Sequence, residues 1–185
     1  SSLFCALLNG AATFPFDVRR DGPRQLAEWL RQERITMYHS VPTIFRSFLS
    51  GDARFPDVRC IRLEGDRSSR VDVDLYRRHF EPGCVLVNGL GATETGIARQ
   101  FFIDHETAVD DGVLPVGYPV RDVDVFLLDE AGDEVEVGQV GEIAVRSAYL
   151  APGYWRRQDL TDAAFHPDPG GGRMRVYRTG DTGRM

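Results

Sequence analysis

Apolar residues in the first 112 positions alternate between short runs and helical spacing. The short runs predict strands over residues 12–16, 35–39, 60–63 and 85–87. Between them the spacing predicts helices from Pro23, from Pro42 and over residues 71–79. Strands that alternate with helices are typical of a parallel sheet covered by helices.

The pattern changes after residue 112, where short strands of alternating polarity replace the helices. Strands are predicted over 122–128, 142–146 and 175–178, with a turn at 179–181 and a short helix over 160–165. The predicted fold class is α/β, with a flavodoxin-like parallel sheet and helices over residues 1–112. A small antiparallel β-barrel-like subdomain, truncated at its C-terminal end, is expected over residues 113–185.

Composition narrows the possible functions. The formal net charge is −6, and all 22 basic residues are Arg. Without Lys there is no Walker phosphate loop and no lysine from this chain in any mechanism. We expect no nucleic-acid partner, because no basic stripe occurs, and no membrane span, because no run of 18 apolar residues occurs.

The cysteines and the N-terminus give two further expectations. Cys5, Cys60 and Cys84 are odd in number and lie among apolar neighbours, which predicts reduced core thiols in a cytoplasmic protein. The chain starts with an apolar segment and no initiator Met, and we interpret this start as a cut end.

A glycine-rich segment after the strand at 85–87 is the strongest candidate for chemistry. In open α/β sheets ligands bind at the carboxyl ends of strands, which is where Gly89 and Gly91 are expected. Thr93 could offer its hydroxyl to a phosphate, and Glu94 could offer a carboxylate to Mg²⁺. An ordinary glycine-rich turn with a solvated Glu explains these residues equally well.

Two later segments carry weaker signals. Asp181, freed by Gly180 after a strand, could accept both hydroxyls of a ribose, although an Asp in a plain turn is commoner. Residues 141–146 and 150–155 alone indicate a strand and an aromatic-rich turn.

Taken together, and in the order in which they occur along the chain, the three segments resemble the adenylation domains of nonribosomal peptide synthetases. These domains belong to the wider family of adenylate-forming (AMP-binding) enzymes. That family carries N-x-Y-G-P-T-E, then G-E-[LI]-x-[IV] with a later G-Y, then Y-R-T-G-D. The matching residues are 88–94, 141–154 and 177–181, and the resemblance extends over essentially the whole chain. Leu90 and Ala92 depart from the family's Tyr and Pro, which makes the contact with adenine less specific.

The resemblance implies that a carboxylic acid attacks ATP to form an acyl-AMP and pyrophosphate. The acyl group then passes to a thiol. Thr93 would hold the α-phosphate, Glu94 would bind Mg²⁺, and Asp181 would fix the ribose. The remaining nucleotide-binding residues would be Asn88, Gly89, Leu90, Gly91 and Ala92.

The resemblance also implies an acyl pocket, a set of partners and missing parts. The pocket residues would be His39, Arg62, Glu64, Gly89, Ile97 and Ala98, with Ser1 at the edge. Arg62 and Glu64 make this pocket polar and favour an amino or hydroxy acid.

The implied partners are a carrier-protein phosphopantetheine or CoA and the enzyme's missing N- and C-terminal subdomains. We therefore expect the fragment alone to be inactive. The alternatives are a fragment of a free-standing acyl-CoA or acyl-carrier ligase and a non-catalytic structural module.

Overall fold

A computed structural model describes residues 2–185, with Ser2 described by its backbone alone. In its first part the elements are α1 (Ser2–Leu8), α2 (Val18–Gln32), β1 (Met37–Ser40), α3 (Pro42–Phe48), β2 (Cys60–Leu63), α4 (Arg70–His79) and β3 (Val85–Ala92). They are followed by β4 (Gly96–Ile103), β5 (Tyr118–Pro119), β6 (Val123–Leu128), β7 (Val140–Ser147), α5 (Gln158–Ala164), β8 (Phe165–Pro167) and β9 (Arg175–Arg184).

The chain folds as two compact units. One extends to Gly89 and resumes over Phe101–Gly117, and the other comprises Leu90–Gln100 and Tyr118–Met185. The division at residue 112 that the sequence suggests stays a prediction.

The first sheet has the strand order β1-β2-β3-β4-β5. Its first three strands are parallel, and His39, Arg62 and Val87 lie side by side in register. Tyr38 and Ile61 point to the opposite face and are buried in the core beneath the helices. Because side chains alternate along a strand, His39 and Arg62 share the face that does not enter this core.

Helix α2 buries Leu26, Ala27 and Leu30 along one stripe, as its spacing predicts. Asp17 caps its start by accepting hydrogen bonds from two backbone N–H groups. At Gly22 the backbone has a φ of 84°, which interrupts the helix. Pro23 then opens the second helical run, where its missing N–H is harmless.

An ion pair ties α3 to α4. Arg46 donates from Nε and Nη2 to the two carboxylate oxygens of Asp72, both at 2.8 Å. Asp72 is fully buried and also accepts from the backbone N–H of Ser69, which completes a capping box at the start of α4. The buried carboxylate is therefore paired and hydrogen-bonded, as a charge in a core must be.

The second sheet is antiparallel, with the order β6-β7-β9-β8. The register of β7 against β9 shifts between Glu142 and Ala144, where the ladder is irregular. Leu128, Ala144 and Val176 form its small buried cluster, against which Phe126 packs.

The predicted α/β class is confirmed, but the first sheet is mixed because β4 and β5 pair antiparallel. Residues 12–16 are not a strand: they form a loop, in which Pro15 has no N–H to give to a ladder. The turn predicted at 179–181 is also wrong, because β9 continues through it with Gly180 at a φ of 76°.

Two surface properties complete the fold. Most apolar residues of α1 are exposed, with Phe4 at 68% and Leu8 at 84% exposure. Cys5 is exposed as well, so it is not the core thiol that the sequence predicts. Within residues 2–185 the helices are too short and too polar for any of them to span a bilayer.

Candidate functional site

The glycine-rich segment forms a β-hairpin rather than a loop. Strand β3 continues to Ala92, and β4 starts at Gly96. In the turn between them, the Thr95 hydroxyl accepts from the Ala92 N–H at 3.1 Å. A Cβ on Gly91 would lie 2.3 Å from the carbonyl oxygen of Gly96, so the two strands approach each other too closely for any side chain there. Gly91 therefore serves the hairpin itself.

Glu94 lies at the tip of this hairpin and is held from two sides by the loop after β7. Its carbonyl oxygen accepts from the Ala151 N–H at 2.7 Å. Its carboxylate oxygen Oε1 accepts from the Tyr154 hydroxyl at 2.8 Å. The neighbouring Thr93 is exposed to solvent. The hairpin therefore presents an oriented carboxylate beside an accessible hydroxyl.

The Tyr154 hydroxyl also lies 3.3 Å from the hydroxyl of Tyr177 on β9. Both rings pack against Phe165, with centroid distances of 5.6 Å and 4.8 Å. Burial raises the pKa of Tyr177 well above its usual value, and the hydrogen bond with Tyr154 and the charge of Glu94 act in the same direction. Both phenols and this carboxylate form one connected group.

Asp181 lies on strand β9 next to residues that Glu142 holds in place by hydrogen bonds. Glu142 accepts from both Arg178 Nε, at 2.8 Å, and the backbone N–H of Gly180, at 3.0 Å. The hydrogen bond from Arg178 is the main reason that the pKa of Glu142 lies below its ordinary value, and the Gly180 N–H adds to it. Asp181 follows directly and is exposed. Glu142 thus fixes the backbone that presents the Asp181 carboxylate.

In the unit that extends to Gly89, the Glu64 carboxylate contacts two of the predicted pocket residues. His39 Nε2 lies 3.2 Å from Glu64 Oε2, and Arg62 Nε donates to Oε1 at 2.5 Å. Burial raises the pKa of Glu64, but the hydrogen bonds from His39 and Arg62 outweigh burial and leave the pKa below its ordinary value. A Cβ on Gly89 would lie 2.8 Å from Glu64 Oε1. His39, Arg62 and Glu64 therefore form one polar cluster at the carboxyl ends of β1 and β2, and Gly89 in β3 lies beside it.

The structure does not bring together every residue that the sequence suggests. Asn88 is buried, and its side-chain amide donates to the Pro115 carbonyl at 2.9 Å, which gives it a structural role. Ile97 and Ala98 lie on β4 in the other unit from His39, and Ala98 is fully buried. Ser1 lies outside the described residues. The contacts of these four with a ligand stay predictions.

Leu90 and Ala92 are half-buried on β3, on either side of Gly91. Their contact with a nucleotide also stays a prediction.

Comparison with known proteins shows which family the chain belongs to. A model of the AMP-binding enzyme family matches residues 1–155. The chain belongs to the AMP-binding enzyme family.

Its relatives within this family include synthetases and ligases. It is 33% identical to surfactin synthase subunit 2 of Bacillus subtilis (strain 168), covering 98% of this chain and 5% of the synthase. It is 31% identical to an L-proline--[L-prolyl-carrier protein] ligase of Streptomyces coelicolor, covering 89% of this chain and 32% of the ligase. The chain therefore spans a small part of the length of these relatives.

A solved structure has the same fold. The crystal structure of CmiS6 superposes with a TM-score of 0.83 at 30% identity, covering 98% of this chain and 45% of that one. The family resemblance inferred from the three motifs is thus confirmed.

Sequence reasoning gave no role to Tyr154 or Tyr177. Both lie within the family motifs, but as single letters they are indistinguishable from core aromatics. Only the fold shows that Tyr154, 60 positions after Glu94, donates to its carboxylate. The aromatic-rich turn at 150–155 was the one available signal.

Proposed function

We propose that this chain is part of an adenylating ligase that uses ATP to activate a carboxylic acid as acyl-AMP. The acyl group would then pass to a phosphopantetheine thiol of a carrier protein. The observation that carries the proposal is the oriented Glu94 carboxylate at the hairpin tip, beside the exposed Thr93 hydroxyl. Membership of the AMP-binding family and the relatives' names support a ligase over a non-catalytic structural module.

Glu94 is suited to a magnesium ion. Mg²⁺ prefers hard oxygen ligands and is commonly bound by one or two carboxylates together with substrate phosphates. Within residues 2–185 no group of three or more His, Cys, Asp or Glu side chains converges into a cage, so Glu94 would act with the nucleotide's own oxygens. When bound, Mg²⁺ would neutralise the charge that develops on the phosphates.

The other residues would orient the nucleotide. The Thr93 hydroxyl would donate to the α-phosphate, and the exposed Asp181 carboxylate would accept from the ribose hydroxyls. Because Glu142 holds the Gly180 N–H, Asp181 is carried on ordered backbone. Such positioning and charge stabilisation supply most of the catalysis in phosphoryl and nucleotidyl chemistry.

The polar cluster around Glu64 supports an amino or hydroxy acid as substrate. A fatty acyl chain would have to lie against the Glu64–Arg62 ion pair and the His39 ring beside it, and leaving such charges without water is costly. A polar side chain or an amino group could instead bond to the Glu64 carboxylate.

The test is Glu94→Ala in the intact enzyme, with Glu130→Ala, in an exposed turn, as the matched control. Loss of a preorganised electrostatic contact costs about 2–4 kcal/mol of transition-state stabilisation, so ATP–pyrophosphate exchange should fall by roughly 30- to 1,000-fold. The control should keep its rate. Exchange by Glu94→Ala at the control's rate would refute the role of Glu94.

A further inference from the structure

The loop that holds Glu94 is itself built to be rigid. Gly153 has a φ of 147°, and a Cβ there would lie 2.5 Å from Thr161 Cγ2. This close approach lets the Thr161 hydroxyl accept from the Tyr154 N–H at 2.9 Å. Arg175 donates to the Ala151 carbonyl at 3.0 Å. Both ends of the segment 151–154 are therefore fixed to α5 and β9.

The direction of the hydrogen bonds through the phenols follows from their protons. Each phenol hydroxyl has one proton to donate. Tyr154 gives its proton to Glu94, so in the 3.3 Å contact between the two hydroxyls Tyr177 is the donor. The donors thus run from Tyr177 to Tyr154 to Glu94, and each hydrogen bond polarises the next.

We propose that Tyr154 is a positioning residue that holds the Glu94 carboxylate in the orientation in which it binds the divalent cation, and that Tyr177 supports Tyr154. A hydrogen bond to Oε1 fixes the rotation of the carboxylate and leaves lone pairs for a cation. The backbone bond from Ala151 fixes the same residue at its carbonyl. This inference rests on the proposed role of Glu94 as the cation ligand.

The experiment measures equilibrium binding of Mn²⁺ to the intact enzyme in the presence of a non-hydrolysable ATP analogue. Electron paramagnetic resonance counts the free Mn²⁺, so no turnover is needed. Tyr154→Phe keeps the ring against Phe165 and removes the hydroxyl. Because the lost hydrogen bond is made to a charged group, the dissociation constant of Mn²⁺ should rise by about tenfold or more.

Two further variants grade the effect. Tyr177→Phe should raise the dissociation constant in the same direction but by less, roughly threefold, because it acts only through Tyr154. Tyr149→Phe, which lies in the same loop at 74% exposure, should leave it unchanged. Far-ultraviolet circular dichroism verifies that each variant is folded.

A double mutant separates positioning from general structural support. In a Glu94→Gln background, Tyr154→Phe should cause no further loss of Mn²⁺ binding. The inference would be overturned if Tyr154→Phe bound Mn²⁺ as tightly as the wild type. It would also be overturned if Tyr154→Phe weakened Mn²⁺ binding just as much in the Glu94→Gln background. Wild-type binding by Glu94→Gln alone would instead refute the proposed function of Glu94.

Discussion

The close contact at Gly91 makes a quantitative prediction about the hairpin. A Cβ at this position would lie 2.3 Å from the Gly96 carbonyl oxygen and 3.1 Å from Ile97 Cα. Real Cβ contacts essentially never fall below 3.0 Å, so Gly91→Ala requires the backbone of β4 to move by at least 0.7 Å. No side-chain rotation can relieve this clash, because both contacted atoms belong to the backbone.

The magnitude follows from comparison with two other glycines. The backbone φ is not left-handed at Gly83, Gly89 or Gly91. The effects of an alanine at these three positions should therefore differ only because its Cβ contacts different neighbouring atoms. At Gly83 nothing lies within 4 Å, and Gly83→Ala should stabilise by about 0.4–1 kcal/mol through the unfolded chain. At Gly91 overpacking should cost about 1–3 kcal/mol. At Gly89 the obstacle is the Glu64 side chain, which can move, so the cost should be intermediate.

Urea unfolding of the 185-residue chain measures this series. With a slope of about 2 kcal/mol per molar urea, the midpoint of Gly91→Ala should lie roughly 1–2 M below that of Gly83→Ala. In the intact enzyme, Gly91→Ala should also lower ATP–pyrophosphate exchange by up to about 100-fold, because Glu94 at the hairpin tip moves with the strand.

Equal midpoints for Gly83→Ala and Gly91→Ala would refute this reasoning. Gly91→Ala could instead show a low urea midpoint while its folded fraction keeps the wild-type rate of ATP–pyrophosphate exchange. That result would confirm the clash but contradict the link to Glu94.

Three further predictions concern stability, pH and activity. Arg46→Ala leaves the Asp72 carboxylate buried without its cation and should cost about 3 kcal/mol of unfolding free energy, whereas Arg20→Ala, in an exposed pair, should leave the unfolding free energy nearly unchanged. Because the pKa of Glu142 is lowered from 4.5, its carboxylate stabilises the fold above pH 4.5 and loses that effect as the pH falls through the lower folded value. Glu142→Gln should therefore lower the urea midpoint at pH 7, and the difference from the wild type should shrink as the pH falls below 4.5. The 185-residue chain alone should show no ATP–pyrophosphate exchange above background, since it contains no Lys to stabilise the charge of the pyrophosphate leaving group. It should bind ATP with a dissociation constant of about 1 mM or higher. Exchange above background would contradict this prediction.

The parallel strands and main helices could be predicted from periodicity because each buries one continuous stripe. Leu26 and Leu30 recur at helical spacing, and the runs at β1 and β2 are short, apolar and rich in aromatic or branched residues. The failed strand at 12–16 has the same composition, but a strand also needs a neighbour, and a local pattern cannot supply one.

The candidate site divides in the same way. Thr93, Glu94 and Asp181 stand in motifs whose letters are specific when taken together, so the sequence could single them out as candidates, and their contacts with a ligand stay predictions. The hydrogen bonds that orient them join residues far apart in the chain, as Tyr154 joins Glu94 and Glu142 joins Gly180. The sequence also suggests that Gly91 serves a ligand, which stays a prediction; the structure adds that this glycine lies against its own partner strand.

The contact between Gly89 and Glu64 limits the order in which the proposed acyl pocket can diverge or be engineered. Any side chain added at position 89 enters space that Glu64 Cγ and Oε1 already fill. Shortening or replacing Glu64 first opens this space, whereas the opposite order passes through an intermediate in which Glu64 is displaced from both His39 and Arg62. Libraries that vary position 89 alone should therefore yield few active enzymes, and historical changes at position 89 should follow changes at position 64.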